Sequence, residues 1–127
     1  MNIEFSPNVP IYIQVMDYIK KEIVTGRLAP GDKIPAVREL ARELQVNPNT
    51  IQRTFQELER DGIAETRRGT GRFVIIDREK IKEIRKEMAK DLLDNFINEM
   101  SNLGFMEEEI LSILQLSLEK KRSELSG

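Results

Sequence analysis

Apolar residues recur at helical spacing in three short segments of the N-terminal half of the chain. An apolar residue stands at every fourth position between Ile11 and Ile23, which predicts a helix over 11–25. The i, i+3, i+4, i+7 spacing predicts a second helix over 36–44 and a third over 48–60. Because only a few residues separate the second helix from the third, the two form a predicted helix-turn-helix.

The segment after the third helix changes to the pattern of a β-hairpin. Residues 63–66 and 72–76 predict two strands, joined by residues 67–71, which we call the wing tip. Glycines at positions 69 and 71 supply the backbone freedom that such a tight loop needs. Two strands alone are marginally stable in water, so we expect this hairpin to pack on the helices.

The C-terminal part of the chain predicts two further helices. Apolar residues step by three or four positions from about 77 to 103, and Gly104 ends this long helix. Acidic residues at 107–109 suit the start of the last helix, and basic residues at 120–122 suit its end. Residues 123–127 are then predicted to be a frayed tail.

This order of elements predicts a mainly α fold with a small β-hairpin wing. Residues 1–77 form the predicted winged helix-turn-helix domain, and residues 78–127 form a two-helix module. The third helix of such a domain enters the major groove of DNA. Its side away from the apolar stripe carries amide and guanidinium groups, which match base edges. These candidate residues are Asn49, Gln52, Arg53 and Gln56, joined by Asn47 at the start of the helix. The alternative is an ordinary polar helix surface.

The wing tip is basic and contains no acidic residue. Glycine lets the backbone approach a sugar-phosphate chain, and arginine supplies phosphate or minor-groove contacts. The predicted contact residues are Arg67, Arg68, Gly69 and Thr70. A solvated turn is the alternative, but the position of the tip directly after the helix pair favours DNA binding.

The overall composition excludes several classes of function. The net charge is −2, from 20 basic and 22 acidic residues, so DNA binding depends on local clustering of charge. The chain contains no cysteine and no histidine, which removes thiolate and imidazole chemistry and disfavours an enzyme. No cofactor or metal is predicted. There is no long apolar run and no signal-peptide pattern, so we expect a cytoplasmic protein without membrane contact.

The apolar stripes of the C-terminal helices exceed what two helices bury against each other. This excess predicts a homodimer with a four-helix interface. The predicted interface residues are Ile84, Met88, Leu92, Phe96, Met100, Ile110 and Leu114. Two alternatives are that both helices pack back on the winged domain, or that methionines and phenylalanines line a small-molecule cavity. No effector is identified by the sequence.

Three segments in order resemble the GntR family of regulators: 26–41, 47–62 and 67–74. The resemblance covers about 10–76, and the short two-helix C-terminal region resembles the YtrA-like branch. It implies a dimeric winged-helix repressor that binds operator DNA. It also implies DNA contacts, made by Arg38, Asn49, Thr50, Gln52, Arg68 and Gly69. Many family members carry arginines where this chain has Pro48 and Gln52, so the resemblance leaves open which bases are read.

Sequence-specific DNA binding, as a dimer on a pseudo-palindromic operator, is therefore the predicted function. The competing function is a winged helix that binds another protein and no operator. The two differ in their dependence on charge, because only DNA binding requires the positive charge of Arg53 and Arg68.

Overall fold

The computed structural model describes residues 3–126, which contain five helices and one antiparallel hairpin. In chain order the elements are α1 (Ile11–Val24), α2 (Val37–Leu44), α3 (Pro48–Arg60), β1 (Ala64–Arg67), β2 (Gly71–Val74), α4 (Arg78–Asn102) and α5 (Glu107–Ser126). This confirms the predicted mainly α fold with a hairpin wing. The chain divides into two compact units, the first ending at Arg85 and the second beginning at Lys86.

Within residues 3–126, no helix is both long and apolar enough to cross a membrane.

The first unit has one apolar core, centred on α3. Helix α3 packs against α1, α2 and β1, and its largest buried side chain is Phe55, at 1% exposure. The predicted apolar stripes of the three helices face this core, except for Ile11 at the start of α1, which is 44% exposed. Its other nearly fully buried members are Val15, Ile19, Ile23, Ile34, Leu40, Ile51, Leu58 and Val74.

Two local features make the turn between α2 and α3 tight. Gln45 ends α2 in a left-handed conformation, with φ of 55°, and is the only described residue other than glycine with positive φ. Asn47 then begins α3 as its N-cap, because its side-chain oxygen accepts a hydrogen bond of 2.8 Å from the Asn49 amide. Pro48 follows in the first turn, where its missing N–H costs little.

The wing is a ladder of four residues on each strand, in which β1 starts and ends one residue later than the predicted strand 63–66 and β2 ends two residues before the end of the predicted strand 72–76. Its register pairs Ala64 with Val74 and Arg67 with Gly71. The predicted strand ends at Ile75 and Ile76 were wrong, because beyond Val74 the chain keeps only one pairing bond, from the Ile75 amide to the Ile63 carbonyl. On its other edge β2 is covered by residues 31–34, which bond to it through three backbone hydrogen bonds of 2.8–3.0 Å.

Helix α4 begins directly after Asp77, whose carboxylate accepts hydrogen bonds from the amides of Glu79 and Lys80. Helix α5 continues to Ser126, so the predicted frayed tail was wrong over 123–126, while Gly127 lies outside the described residues. The extension is local in origin. Glutamate and leucine are good helix formers, and the Ser126 hydroxyl donates to the Arg122 carbonyl at 2.9 Å.

Candidate nucleic-acid interface

The outer side of α3 carries the predicted base-contacting side chains. Asn49, Arg53 and Gln56 are exposed, and Thr50 and Gln52 are half-buried. The opposite side of the helix is buried in the core, which leaves α3 only one side free for a ligand. We call the outer set, Asn49, Gln52, Arg53 and Gln56, the recognition surface. Its side chains are amides and one guanidinium, the groups that bind adenine and guanine edges.

Two polar residues of α3 are used to hold the helix in place. The side-chain oxygen of Asn47, a predicted DNA-contacting residue, is occupied by the N-cap bond. The hydroxyl of Thr54, which is fully buried, donates to the Thr50 carbonyl at 2.9 Å and lies 3.4 Å from the Tyr12 carbonyl of α1. This role of Thr54 was not predicted, because a single threonine beside an apolar stripe fits a surface position equally well.

Arg53 lies against α1 while keeping its positive charge. Its guanidinium carbon is 3.8 Å from the centre of the Tyr12 ring. A cation–π contact of this kind orients the guanidinium and satisfies none of its N–H donors. Arg53 is exposed and forms no ion pair within residues 3–126. The contact therefore fixes the direction of the one cation within the recognition surface.

Two further basic side chains lie on or just before α2, the helix that packs against α3. Arg38 is exposed in the first turn of α2. Lys33 precedes α2 and lies across the wing, where a β-carbon added to Gly71 would come within 2.9 Å of its Cε. The φ of Gly71 is +119°, so glycine meets both a backbone and a space requirement there. Lys33 was missed in the sequence prediction, since its closeness to the wing depends on the bridge between positions 33 and 73.

All four predicted contact residues of the wing tip are exposed. Gly69 adopts a φ of +80°, and Thr70 closes the turn by bonding to the Arg67 carbonyl through its amide and hydroxyl. Arg67 is engaged within the wing, 3.1 Å from the Glu65 carboxylate and 4.2 Å from the centre of the Phe73 ring. Arg68 forms no ion pair among residues 3–126.

The acidic residues of α3 are compensated locally. Glu57 pairs with Arg60 at 2.9 Å, and Glu59 pairs with Arg72 of β2 at 2.7 Å. Burial raises the pKa of Glu59, but hydrogen bonds from Thr66 and Arg72, together with the charge of Arg72, outweigh it and hold that pKa below its ordinary value. The carboxylate therefore stays charged and paired with Arg72 at neutral pH.

The predicted interface residues of the C-terminal helices differ in how much of each side chain remains open. Ile84 and Ile110 are 5% and 9% exposed, so the chain itself already covers them. Leu92 is 67% exposed, and the rest are half-buried: Met88, Phe96, Met100 and Leu114. Several large apolar side chains outside the predicted set are also exposed: Leu93, Ile97, Leu111, Leu116 and Leu118.

An apolar groove of about 360 Å³ lies in the second unit. It is lined almost entirely by aliphatic and aromatic side chains from α4 and α5: Leu93, Phe96, Ile97, Ile110, Leu111 and Leu114. Glu107 is the one charged residue at its edge.

Within residues 3–126, no group of acidic residues is arranged to hold a metal ion.

Sequence comparison places these features among known regulators. The family model described as bacterial regulatory proteins, gntR family, matches residues 11–74. The HTH-type transcriptional regulator YhcF of Bacillus subtilis is 45% identical over 111 residues, which are 87% of this chain and 92% of YhcF. The HTH-type transcriptional repressor YtrA of the same organism is 36% identical over 104 residues, which are 81% of this chain and 80% of YtrA.

Solved structures agree with the sequence matches. A GntR family transcriptional regulator from Listeria monocytogenes superimposes with a TM-score of 0.81 at 47% identity, covering 87% of this chain and 97% of that one. The AraR DNA-binding domain in complex with operator ORX1 gives a TM-score of 0.54 at 29% identity, covering 58% of this chain and 94% of that domain. The fold and its exposed polar helix define a winged helix-turn-helix transcriptional regulator. The chain belongs to the GntR family of bacterial regulators, and its resemblance to YtrA-type repressors is confirmed.

Proposed function

We propose that this regulator represses transcription by binding operator DNA, with α3 in the major groove and the wing tip on the adjacent backbone. The observation that carries the proposal is the recognition surface itself. It is the outer side of a helix whose other side is fixed in the core, and it presents amides and a guanidinium without a free carboxylate. A similar fold, the AraR domain, has been solved with its operator.

The side chains around the recognition surface divide into two roles. Asn49, Gln52 and Gln56 have the donor and acceptor pairs that read bases, so we assign them to sequence selection. Arg38 and Arg68 are exposed cations on α2 and on the wing, and we assign them to phosphates. Asn47 keeps its amide nitrogen available for DNA, because the cap uses only its oxygen.

We further propose that the second unit joins two copies of the chain. Both of its helices leave large leucine and isoleucine side chains exposed, and exposed apolar patches mark interaction sites. A second copy is the occupant that fits best, because two recognition helices about 34–36 Å apart bind two half-sites one helical turn apart. Leu92 and Leu111, which are 67% and 58% exposed, are then central candidates for the interface.

The proposed activity is binding without catalysis, and it takes place in the cytoplasm, where bacterial DNA lies. Repression follows from occupancy of the operator, in keeping with the names of the YtrA and NagR repressors, which are 36% and 29% identical to this chain. Nothing among the described residues identifies a small-molecule effector, because the groove of the second unit carries no converging set of polar groups.

Two alanine variants test the proposed division of roles. Duplexes that bind the protein are first selected from a random pool, and affinity is then measured on the selected duplex and on a scrambled one. Gln52→Ala is expected to cost about 1–3 kcal/mol on the selected duplex alone, whereas Arg68→Ala weakens both duplexes and lowers the salt dependence by about one ion. Gln115→Ala and Arg85→Ala, at exposed positions of α5 and α4, are the matched controls. Equal losses on both duplexes for Gln52→Ala would refute base readout by this residue.

A further inference from the structure

One carboxylate oxygen connects the recognition helix to both strands of the wing. The Oε1 atom of Glu59, on α3, accepts a hydrogen bond from the Thr66 hydroxyl of β1 and another, of 2.7 Å, from Arg72 Nε of β2. Thr66 and Arg72 are themselves a directly opposed pair in the ladder. Both strands are therefore held at the same level of the hairpin, by the same atom.

The position of this pair along the wing gives the contact its importance. Thr66 and Arg72 are the last ladder pair but one, and only Arg67 and Gly71 lie between them and the turn. Strand alternation places Thr66 and Arg72 on the same face as Ala64 and Val74, which are 4% and 0% exposed. The buried face of the hairpin thus ends in a polar contact with Glu59, just before the exposed tip begins.

The contact is sheltered enough to hold a defined geometry. The side chains of Arg72 and Glu59 are 23% and 30% exposed, and theirs is the one ion pair between residues 3 and 126 that joins a helix to a strand. The Arg72 guanidinium also lies 5.0 Å from the centre of the Phe55 ring in the core. A charge-assisted hydrogen bond with a packed guanidinium restricts orientation more than a solvated surface pair does.

We infer that Glu59 is a positioning residue for DNA binding, which fixes the wing relative to α3 so that Arg68 reaches the backbone while the recognition surface lies in the groove. This rests on the operator binding proposed above. Removal of the Glu59 charge therefore changes DNA affinity in the direction opposite to the one that electrostatics alone predicts. Glu59 is an anion close to the proposed DNA surface, and simple electrostatics would have its removal strengthen binding. Removal of a positioning residue weakens binding instead.

The variant Glu59→Gln keeps the shape and removes the charge. If the wing then adopts its binding geometry in about one tenth of the molecules, the apparent affinity for the selected duplex falls about tenfold. Thr66→Val, which removes only the β1 arm of the contact, is expected to give a smaller loss in the same direction. Glu65→Gln is the matched control, because it removes a carboxylate from the same hairpin that pairs only with Arg67. It is expected to leave binding unchanged or to tighten it.

A double-variant cycle separates positioning from general stability. If Glu59 acts through the wing, Arg68→Ala costs much less affinity in the Glu59→Gln background than in the wild type, because the tip is already misplaced. Losses that simply add would overturn the inference, as would Glu59→Gln binding at or above wild-type affinity.

Amide hydrogen exchange without DNA keeps this test separate from that of the proposed function. Faster exchange of the wing ladder in Glu59→Gln, with α1 and α3 unchanged, is the expected result. Unchanged exchange of the wing would overturn the inference whatever the DNA result. Absence of selective binding by the wild-type chain, together with a loosened wing in the variant, would refute operator binding and leave the Glu59 contact to the wing established.

Discussion

Replacement of Leu92 by glutamine tests the proposed dimer at its most exposed predicted position. Full burial of a leucine side chain is worth about 1.5–3 kcal/mol. Since Leu92 is 67% exposed in the single chain, a partner that covers it contributes about 1–2 kcal/mol per copy. A homodimer carries the substitution twice, so Leu92→Gln is expected to raise the dissociation constant of the dimer by about 30- to 900-fold.

Sedimentation velocity over a concentration series measures this shift directly. Lys90→Gln provides the matched control, because it introduces the same residue at an exposed position two residues away, on the other side of α4. Circular dichroism confirms that both variants keep their helices. A Leu92→Gln protein that stays dimeric over the same concentrations as the wild type and the control would refute a dimer interface at this part of α4.

Three further predictions concern the stability of the first unit. Asn47→Ala removes the cap of α3 and is expected to lower the free energy of unfolding in urea by about 1 kcal/mol. Asn49→Ala, in the same turn, is expected to change it by no more than about 0.5 kcal/mol, and equal effects of the two variants would contradict the capping role. Gly71→Ala places a side chain at φ of +119° and is expected to lower the unfolding free energy by about 1–3 kcal/mol, more than Gly69→Ala at +80°, where no atom lies within 4 Å of the new carbon. The pKa of Glu59 lies below its ordinary value of 4.5, so its stabilising effect is present at neutral pH and is lost as pH falls through the lowered pKa. The melting temperatures of wild type and Glu59→Gln should therefore converge in acid, and a difference that does not shrink at any pH below 4.5 at which the protein stays folded would contradict a role for the charge.

The elements of the first unit were predictable because local signals mark them. Asn47 and Pro48 suit the start of α3, Gly62 follows its end, and the spacing of apolar residues identifies the core side of each helix. These signals depend on neighbours within a few positions. They fixed the order of the winged helix-turn-helix and the outer side of α3, which together contain the candidate base contacts.

The contacts that orient the interface were not predictable, because they join residues far apart in sequence. In the sequence, Glu59 is indistinguishable from any other charged residue on a polar helix surface. Its role appears only when the hairpin brings Arg72 Nε to 2.7 Å from its Oε1 atom. The same holds for the Tyr12 ring beneath Arg53. Tertiary proximity decides whether an arginine is paired, stacked or available to a ligand, and local sequence carries no signal for it.

The C-terminal helices show a second limit of sequence patterns. Spacing by three and four positions identified an apolar stripe but could not divide it between the chain and a partner. The structure buries Ile84 and Ile110 within one chain and leaves Leu111 and Leu116 exposed, at 58% and 66%. Because α5 is apolar on more than one side, its inner and outer positions become distinct only in three dimensions.

Operator binding is tested most directly by fluorescence anisotropy with the duplex upstream of this protein's own gene, set against a scrambled duplex of the same length across a salt series. Selective binding to the native duplex, tighter than to the scrambled one by about a thousandfold or more and falling steeply with salt, is the predicted result. Equal affinity for both duplexes at every salt concentration, repeated with duplexes from a random-pool selection, would contradict it.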